Sequence, residues 1–397
     1  MERKYYKTLY ASYIGYITQA IVNNLAPLLF VTFQREFDLT VMQIGFLVTF
    51  NFAVQIVTDL LAAKYAERIS YKASIIAAHL FSAVGLIGLG VFPELLPNPY
   101  TGLLAAIAIY AVGGGLIEVL VSPIVQALPL DAKSSAMSLL HSFYCWGHVF
   151  VVVLSTVFFN TVGVEKWKIL PVLWAVIPIG NIFLYASAPI KVLVEKEEAL
   201  SIRKLFGMRL FWLFVVMMLC SGASEQAMSQ WASYFAERGL KVSKTMGDIL
   251  GPCMFAVMMG TSRAFYGVKG EKISLTKFIS GSSILCIFGY LIAVFAPHPV
   301  ISLVGCGICG LSVGIMWPGV FSLVPMWCPQ SGTAMFALLA LAGDSGCSFG
   351  PTVVGSVSNL LEGNLKTGLF AAIVFPIVLI LGICLLKRQR QEATIAK

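Results

Sequence analysis

The sequence predicts an all-α membrane protein, with twelve transmembrane helices arranged as two pseudo-symmetric six-helix bundles. Three observations predict it. Of the 397 residues 58% are hydrophobic and only 12% charged, and the mean hydropathy is +0.86, far more apolar than a water-soluble domain. The apolar residues fall into a dozen runs of roughly 20 residues, the length at which a helix crosses a bilayer. The 27 Lys and Arg residues sit in the gaps between those runs, so the net charge of +8 belongs to loops and not to a nucleic-acid-binding face.

The first run, 9–32, follows the basic segment MERKYYK and continues without a small-residue cleavage site, which makes it a retained helix and not a signal peptide. Runs at 42–63, 73–93, 101–122, 136–159 and 168–190 complete a first set of six, and runs at 210–235, 247–267, 275–296, 300–323, 333–357 and 367–386 form a second. Between the sets lies the longest polar interruption, 191–209. The expected organisation is therefore an N-terminal bundle over 1–190, a cytoplasmic linker over 191–209 and a C-terminal bundle over 210–397. An internal repeat supports this division. Gly115 to Pro123 (GLIEVLVSP) and Gly310 to Pro318 (GLSVGIMWP) share one glycine-to-proline spacing, and an Ala-Met pair follows in each half, Ala136-Met137 and Ala334-Met335.

Alternate loops carry twenty and seven of the basic residues, so the richer side, which holds both termini, is expected to be cytoplasmic. On this count no lysine or arginine lies at membrane depth. The nine cysteines fall mainly inside apolar runs and act there as small hydrophobes. Cys306 and Cys309 form a CxxC in the glycine-rich run VGCGICGLSVG, where helix packing outweighs metal or redox work. No metal or cofactor is expected. The HExxH and GxxxxGK[ST] motifs are missing and no loop is long enough to fold alone, so the chain does not read as an enzyme.

An ionised carboxylate in hydrocarbon costs several kcal/mol, so acids inside the runs point to function. Glu118, Glu225 and Asp344 lie deep in runs four, seven and eleven, and Asp59 nearer the cytoplasmic end of run two. Glu118 sits one helical turn before Ser122 and Pro123, beside glycines that permit close helix approach. Glu225 stands in SGASEQAMSQWASYF, where Ser221, Glu225 and Ser229 share one stripe, Gln226 and Gln230 the next, with Trp231 nearby. Amides, hydroxyls and a carboxylate beside an indole suit a polyhydroxy ring: hydrogen bonds for its hydroxyls, a flat surface for its C–H face. In run five, His141, Tyr144, Cys145 and His148 form a stripe with Trp146 on another face. Packing or proton sharing with Glu118 is expected of these histidines before metal ligation. Gln19, Asn51, Gln55, Asn181 and Trp317 are further candidates to line a cavity, Asp344 is a second cavity acid or a hinge hydrogen-bonder, and His79 reads as structural.

The segment AAKYAERISYK, with Glu67, Arg68 and Lys72, resembles a degenerate form of the loop that follows the second helix in the major facilitator superfamily; GTSRAFYGVKGEK, with Arg263, Lys269 and Lys272, is its counterpart in the second half. That resemblance implies a gating role for these loops. A sharper resemblance is to the fucose permease-like sugar:proton symporters. Run four keeps the group's pattern at Gly113, Gly115, Glu118, Ser122 and Pro123, run one keeps the paired asparagines Asn23-Asn24, and run five keeps Leu139, Phe143 and Gly147. The carboxylate that the group carries after the asparagine pair is absent here, where Ala26 and Pro27 stand.

The resemblance implies a secondary carrier that moves a small polar solute, a sugar or sugar-like compound, by proton (or sodium) symport through alternating access. Its expected solute-binding residues are Asn23, Asn24, Asn51, Glu118, His141, Tyr144, Trp146, Glu225, Gln226, Gln230, Trp231 and Trp317; Glu118, Glu225 and Asp344 would carry the coupling proton. The alternative is an efflux carrier, a proton antiporter for amphiphilic compounds or lipids. Expected surroundings are the lipid bilayer of a plasma membrane, a bacterial inner membrane, with a monomeric chain and no nucleic-acid partner.

Overall fold

A computed structural model of the chain describes residues 5–65, 70–129, 133–190, 202–269, 273–328 and 333–395, and these are helical with no strand among them. Helical rods follow one another in chain order: α1 (Tyr5–Phe37), α2 (Val41–Tyr65), α3 (Tyr71–Leu95), α4 (Pro99–Gln126), α5 (Lys133–Thr161), α6 (Ile169–Ser187), α7 (Arg209–Gly239), α8 (244–269), α9 (Leu275–Phe295), α10 (299–327), α11 (Thr333–Leu360) and α12 (365–395). Ten of them are long and apolar enough to cross a membrane. The other two, α8 and α11, run where the eighth and eleventh crossings were expected, and each carries a charged or hinge-forming polar stretch that lowers its hydropathy. A short helix, Ile202–Phe206, falls inside the polar interruption between the halves.

Corresponding helices take corresponding places. In the first half α4 packs on α3 and α2, and α1 on α5; in the second α10 packs on α9 and α8, and α7 on α11. Between the halves α2 lies against α11 and α5 against α8, which is the pattern a two-fold pseudo-axis generates. Lipid supplies no hydrophobic drive between helices, so close contact relies on small residues. Gly289 and Gly305 let α9 and α10 meet, with Cys309 filling the space opposite Gly289 and Cys306 buried beside it. The CxxC therefore serves packing.

Prolines shape the rods. At the end where α1 begins, called here the proximal end, helices are mostly regular; toward the other, distal end several break. Pro27 interrupts α1 with a 3-10 turn over Ala26–Leu29, and Pro252 lies in a π-type turn of α8 over Ile249–Cys253. α10 is broken at Gly314–Ile315, just ahead of Pro318. A proline has no N–H, so the carbonyl four residues before it loses its helical partner.

The distal half of the seam is stitched. Lys244 Nζ donates to Leu28 O (2.6 Å) and pairs with Asp248 (3.0 Å) and Glu237 (3.2 Å). Tyr234 OH donates to Gln34 Oε1 (2.8 Å), and Thr245 Oγ1 to Asn160 Oδ1 (2.7 Å). Asp248, fully buried, also accepts from Ser233, and from Thr156 across the seam. Nearer the centre the Thr49 and Thr352 hydroxyls pair, and Ser348 Oγ donates to Thr49 O at 3.3 Å. About one turn from the distal ends of α2 and α11, Gly45 and Gly355 bring the two helices close, with the Trp231 indole packed on both.

Two expectations are corrected. Asn181 does not line a cavity: its amide donates to Ala11 O (2.9 Å) and to His79 Nε2 (2.8 Å), in a buried joint of α1, α3 and α6. His79 in turn donates from Nδ1 to Ile75 O (2.7 Å), the structural role expected of it. Arg263 is not a loop residue. It lies inside α8, six residues before that rod ends, and its guanidinium is partly buried between the halves. One arginine thus does sit at membrane depth, because its charge is met there by Glu225.

Candidate functional site

The polar side chains of the two halves meet in one hydrogen-bonded chain across the bundle. It starts at Glu118 in α4, whose Oε2 accepts from Gln19 Nε2 of α1 (3.0 Å). The same amide donates to Gln55 Oε1 of α2 (3.0 Å), and Gln55 Nε2 donates to Asn23 Oδ1 (2.8 Å), which Asn51 Nδ2 also reaches (3.2 Å). Glycines make this approach possible. A Cβ on Gly114 would stand 3.1 Å from Gln19 Oε1, and one on Gly115 would stand 2.8 Å from Asp59 Oδ1.

The crossing between halves depends on Pro27. Because that residue has no N–H, the carbonyl of Asn23 is left without its helical donor, and Gln230 Nε2 of α7 takes it at 3.2 Å. Gln230 also donates to Gln226 Oε1 (2.8 Å), and Gln226 to Glu225 Oε1 (3.3 Å). Glu225 Oε2 meets Arg263 Nη2 at 3.4 Å. A second proline closes the chain: Pro318 frees the Gly314 carbonyl of α10, which accepts from Arg263 Nε at 3.3 Å. Arg263 Nη1 reaches Cys145 Sγ of α5 at 3.2 Å. Among the described residues, two amide oxygens of the chain, Gln19 Oε1 and Asn51 Oδ1, stay buried without a hydrogen-bond partner, an arrangement that is costly at membrane depth.

The expected residues separate into three groups. Asn23, Asn51, Glu118, Glu225, Gln226 and Gln230 join the chain itself, and Asn24 adjoins it, donating to Tyr144 OH at 3.4 Å. His141 is exposed and sets its ring edge against Tyr16 (centroids 5.2 Å apart), whose hydroxyl pairs with Ser122 at 3.0 Å. Its ring is thus placed against Tyr16, while Glu118 is engaged by Gln19. Trp317 rests its ring on Gly343, next to the buried Asp344. Asp344 lies within electrostatic reach of Glu118 and Asp59.

Other residues are placed elsewhere. Trp231 is fully buried and donates to Pro351 O at 3.1 Å, so its indole fills the seam and offers no face to a solute. Trp146 is half exposed, on a different face of α5 from Cys145, beside Gly260 of α8. Of the loop residues, Lys72 donates to Ala188 O at the end of α6 (3.2 Å), clipping α3 to α6. Glu67, Arg68 and Lys272 lie outside the described residues, as does the side chain of Lys269, which ends α8.

Two contributors escaped the sequence reading. Arg263 reads as a loop residue by its charge, although the apolar run continues past it through AFYGV, a signal that places it inside the helix. Asp59 had been noted without a role. Its Oδ1 is buried with no hydrogen-bond partner, beside Gly115 and one turn from Gln55. The space behind the chain is small: about 10 Å³, the room of one water, bordered by Asn23, Asn51, Gln230, Phe30, Ile107 and Tyr110. A solute the size of a sugar does not fit there.

Comparisons with known proteins agree with this architecture. The chain is similar to the L-fucose-proton symporter of Escherichia coli (strain K12), 29% identical over 135 residues that cover 34% of this chain and 30% of the symporter. Its fold matches a bacterial homologue of the human lysosomal transporter Spinster (14% identity, TM-score 0.79, 98% of both chains). It also matches the E. coli xylose transporter in a partially occluded inward-open conformation (12% identity, TM-score 0.76, 97% of both chains). The E. coli fucose:proton symporter follows (18% identity, TM-score 0.66, 96% of this chain and 99% of that one). The family model of the Major Facilitator Superfamily matches residues 12–351. With most of its length matched and its helices paired in that order, the chain belongs to the major facilitator superfamily, and it is a multi-pass membrane transporter and not an enzyme.

Proposed function

We propose that this transporter moves a small polar solute, a sugar or sugar-like compound, by proton symport through alternating access. The observation that carries the reading is the hydrogen-bonded chain from Glu118 to Arg263, which joins both halves at mid-bundle and ends on titratable groups. Amides and carboxylates that bond one another across the bundle are the groups a polyhydroxy solute would engage, and alternating access requires that they belong to both halves. Glu118, Glu225 and Asp344 are the proposed proton carriers. Helices 1–190 and 210–397 act as the two rocking units, and both termini face the cytoplasm of a bacterial inner membrane. In that orientation the stitched distal end is the outer one.

The efflux reading asks for a broad apolar chamber, whereas the centre of this bundle is lined by amides and acids. Proteoliposome uptake over hexoses, polyols, glycosides and sugar acids, with and without an imposed pH gradient, tests the proposal. Accumulation of at least one of them, driven by an inward proton gradient, is expected. Gradient-driven extrusion of an amphiphile with no accumulation of any of these solutes would overturn it.

A further inference from the structure

The Arg263–Glu225 pair says more about the solute than its polarity. A guanidinium at membrane depth is costly and is kept where it does work. Arg263 has five N–H donors, and each nitrogen makes one contact: Nε to Gly314 O at 3.3 Å, Nη1 to Cys145 Sγ at 3.2 Å, Nη2 to Glu225 Oε2 at 3.4 Å. Among the described residues, one N–H on each terminal nitrogen is left over. A guanidinium facing a carboxylate prefers two parallel bonds of about 2.7–2.9 Å; here it makes one long bond. The other Glu225 oxygen is also loosely held, by Gln226 at 3.3 Å. Both side chains keep some access, 19% for Arg263 and 10% for Glu225. The fork is therefore positioned by a backbone carbonyl and a thiol, and only lightly occupied by its own counter-ion.

We propose that Arg263 receives a carboxylate of the solute, that the solute is an anionic polyhydroxy acid, and that Glu225, displaced from Arg263, takes up the co-transported proton. This rests on the symporter reading and names its substrate class. The step balances. The solute carboxylate forms two hydrogen bonds to the Arg263 fork, the Glu225 contact breaks, and an O–H bond forms on Glu225 from one proton of the entering side. One negative charge and one proton enter together, so the charge of the site is unchanged and transport of a monoanion is electroneutral. The hydroxyls of the solute then face the amides of Asn24, Gln226 and Gln230. The titratable and charged groups facing Glu225 are Arg263 of α8, Tyr144 and Cys145 of α5, and Cys347 of α11. Among these Arg263 carries the only positive charge, so its capture by a solute leaves Glu225 without a counter-ion, and an unpaired buried carboxylate is held neutral by a proton.

The test compares D-glucuronate with D-glucose on the full chain in nanodiscs and proteoliposomes. Glucuronate is expected to bind at least about tenfold more tightly than glucose, to weaken by up to about tenfold per pH unit as pH rises past the titration of Glu225, and to accumulate under a pH gradient without responding to an imposed membrane potential. Glu225→Gln should flatten the pH profile of binding and abolish gradient-driven accumulation. Arg263→Gln should lose about a hundredfold in glucuronate affinity. If that variant does not fold, the wild-type solute comparison and the Glu225→Gln pH profile decide. Preference for glucose, or pH-independent glucuronate binding by the wild type, overturns the proposal and leaves the symporter reading standing. Accumulation of neither, nor of any other sugar-like solute, overturns both.

Discussion

At the residue scale, the closest packing lies where α7 crosses α11. A Cβ on Gly346 would stand 1.9 Å from the Leu219 carbonyl oxygen and 3.0 Å from the Ala223 nitrogen, so any side chain there must push two helix backbones apart. Gly281, on the lipid-facing side of α9, has nothing within 4 Å of its Cβ position. Overpacking costs typically about 1–3 kcal/mol, whereas alanine gains roughly 0.5–1 kcal/mol over glycine in an open helix. Gly346→Ala should therefore lower the melting temperature in detergent and Gly281→Ala should leave it unchanged or raise it; equal melting of the two would contradict the crossing. Single residues also mark the limit of what the sequence discloses. Glu118, Glu225 and the amides were legible because polar groups are rare in apolar runs. Trp231 was not, since helical periodicity gives the stripe on which an indole stands but not whether the next half covers it. Arg263 was misplaced because a basic residue near the end of a run looks like loop flank until its acidic partner is known.

At the element scale, two broken helices hold the polar chain, one at its crossing between the halves and one at its Arg263 end. Pro27 and Pro318 each free a carbonyl four residues earlier, and these accept from Gln230 and Arg263. The cost of a proline inside a helix, about 3 kcal/mol, is thus partly recovered through side chains of other helices. Pro27→Ala would restore an N–H that competes with Gln230 for the Asn23 carbonyl. Its expected outcome is a protein at least as heat-stable as the wild type whose uptake falls several-fold. Unchanged uptake would show that the break in α1 is not used. The breaks themselves were foreshadowed by the prolines in the sequence, and so were the duplicated α4 and α10. Which carbonyl each proline hands to which side chain depends on how the helices pack, and no spacing along the chain specifies that.

At the scale of the whole molecule, the distal stitching should set how often that end opens. Lys244 is the hub, joining Leu28 of the first half to Glu237 and Asp248 of the second. A hydrogen bond to a charged group contributes roughly 1.5–3 kcal/mol, enough to move a two-state population by about tenfold or more. Spin labels at the exposed Arg35 and Arg238, on opposite halves of that end, would report it by their separation. Lys244→Ala is expected to enlarge the long-distance population at the expense of the short one, and an unaltered distribution would remove Lys244 from the gate. The all-helical class and the helix order were readable because lipid forces every backbone into helices of one length. The conformational state was not, since it depends on contacts between distant segments. One of those contacts has a mechanical meaning. Gly45 and Gly355 meet under the Trp231 indole about one helical turn from the distal ends of α2 and α11, so they act as a hinge plate beside the stitched end: a small rotation there leaves the two glycines touching while it swings the far mouth through the widest arc. A bulkier residue at either position would wedge the near mouth apart and so change the swing of the far one.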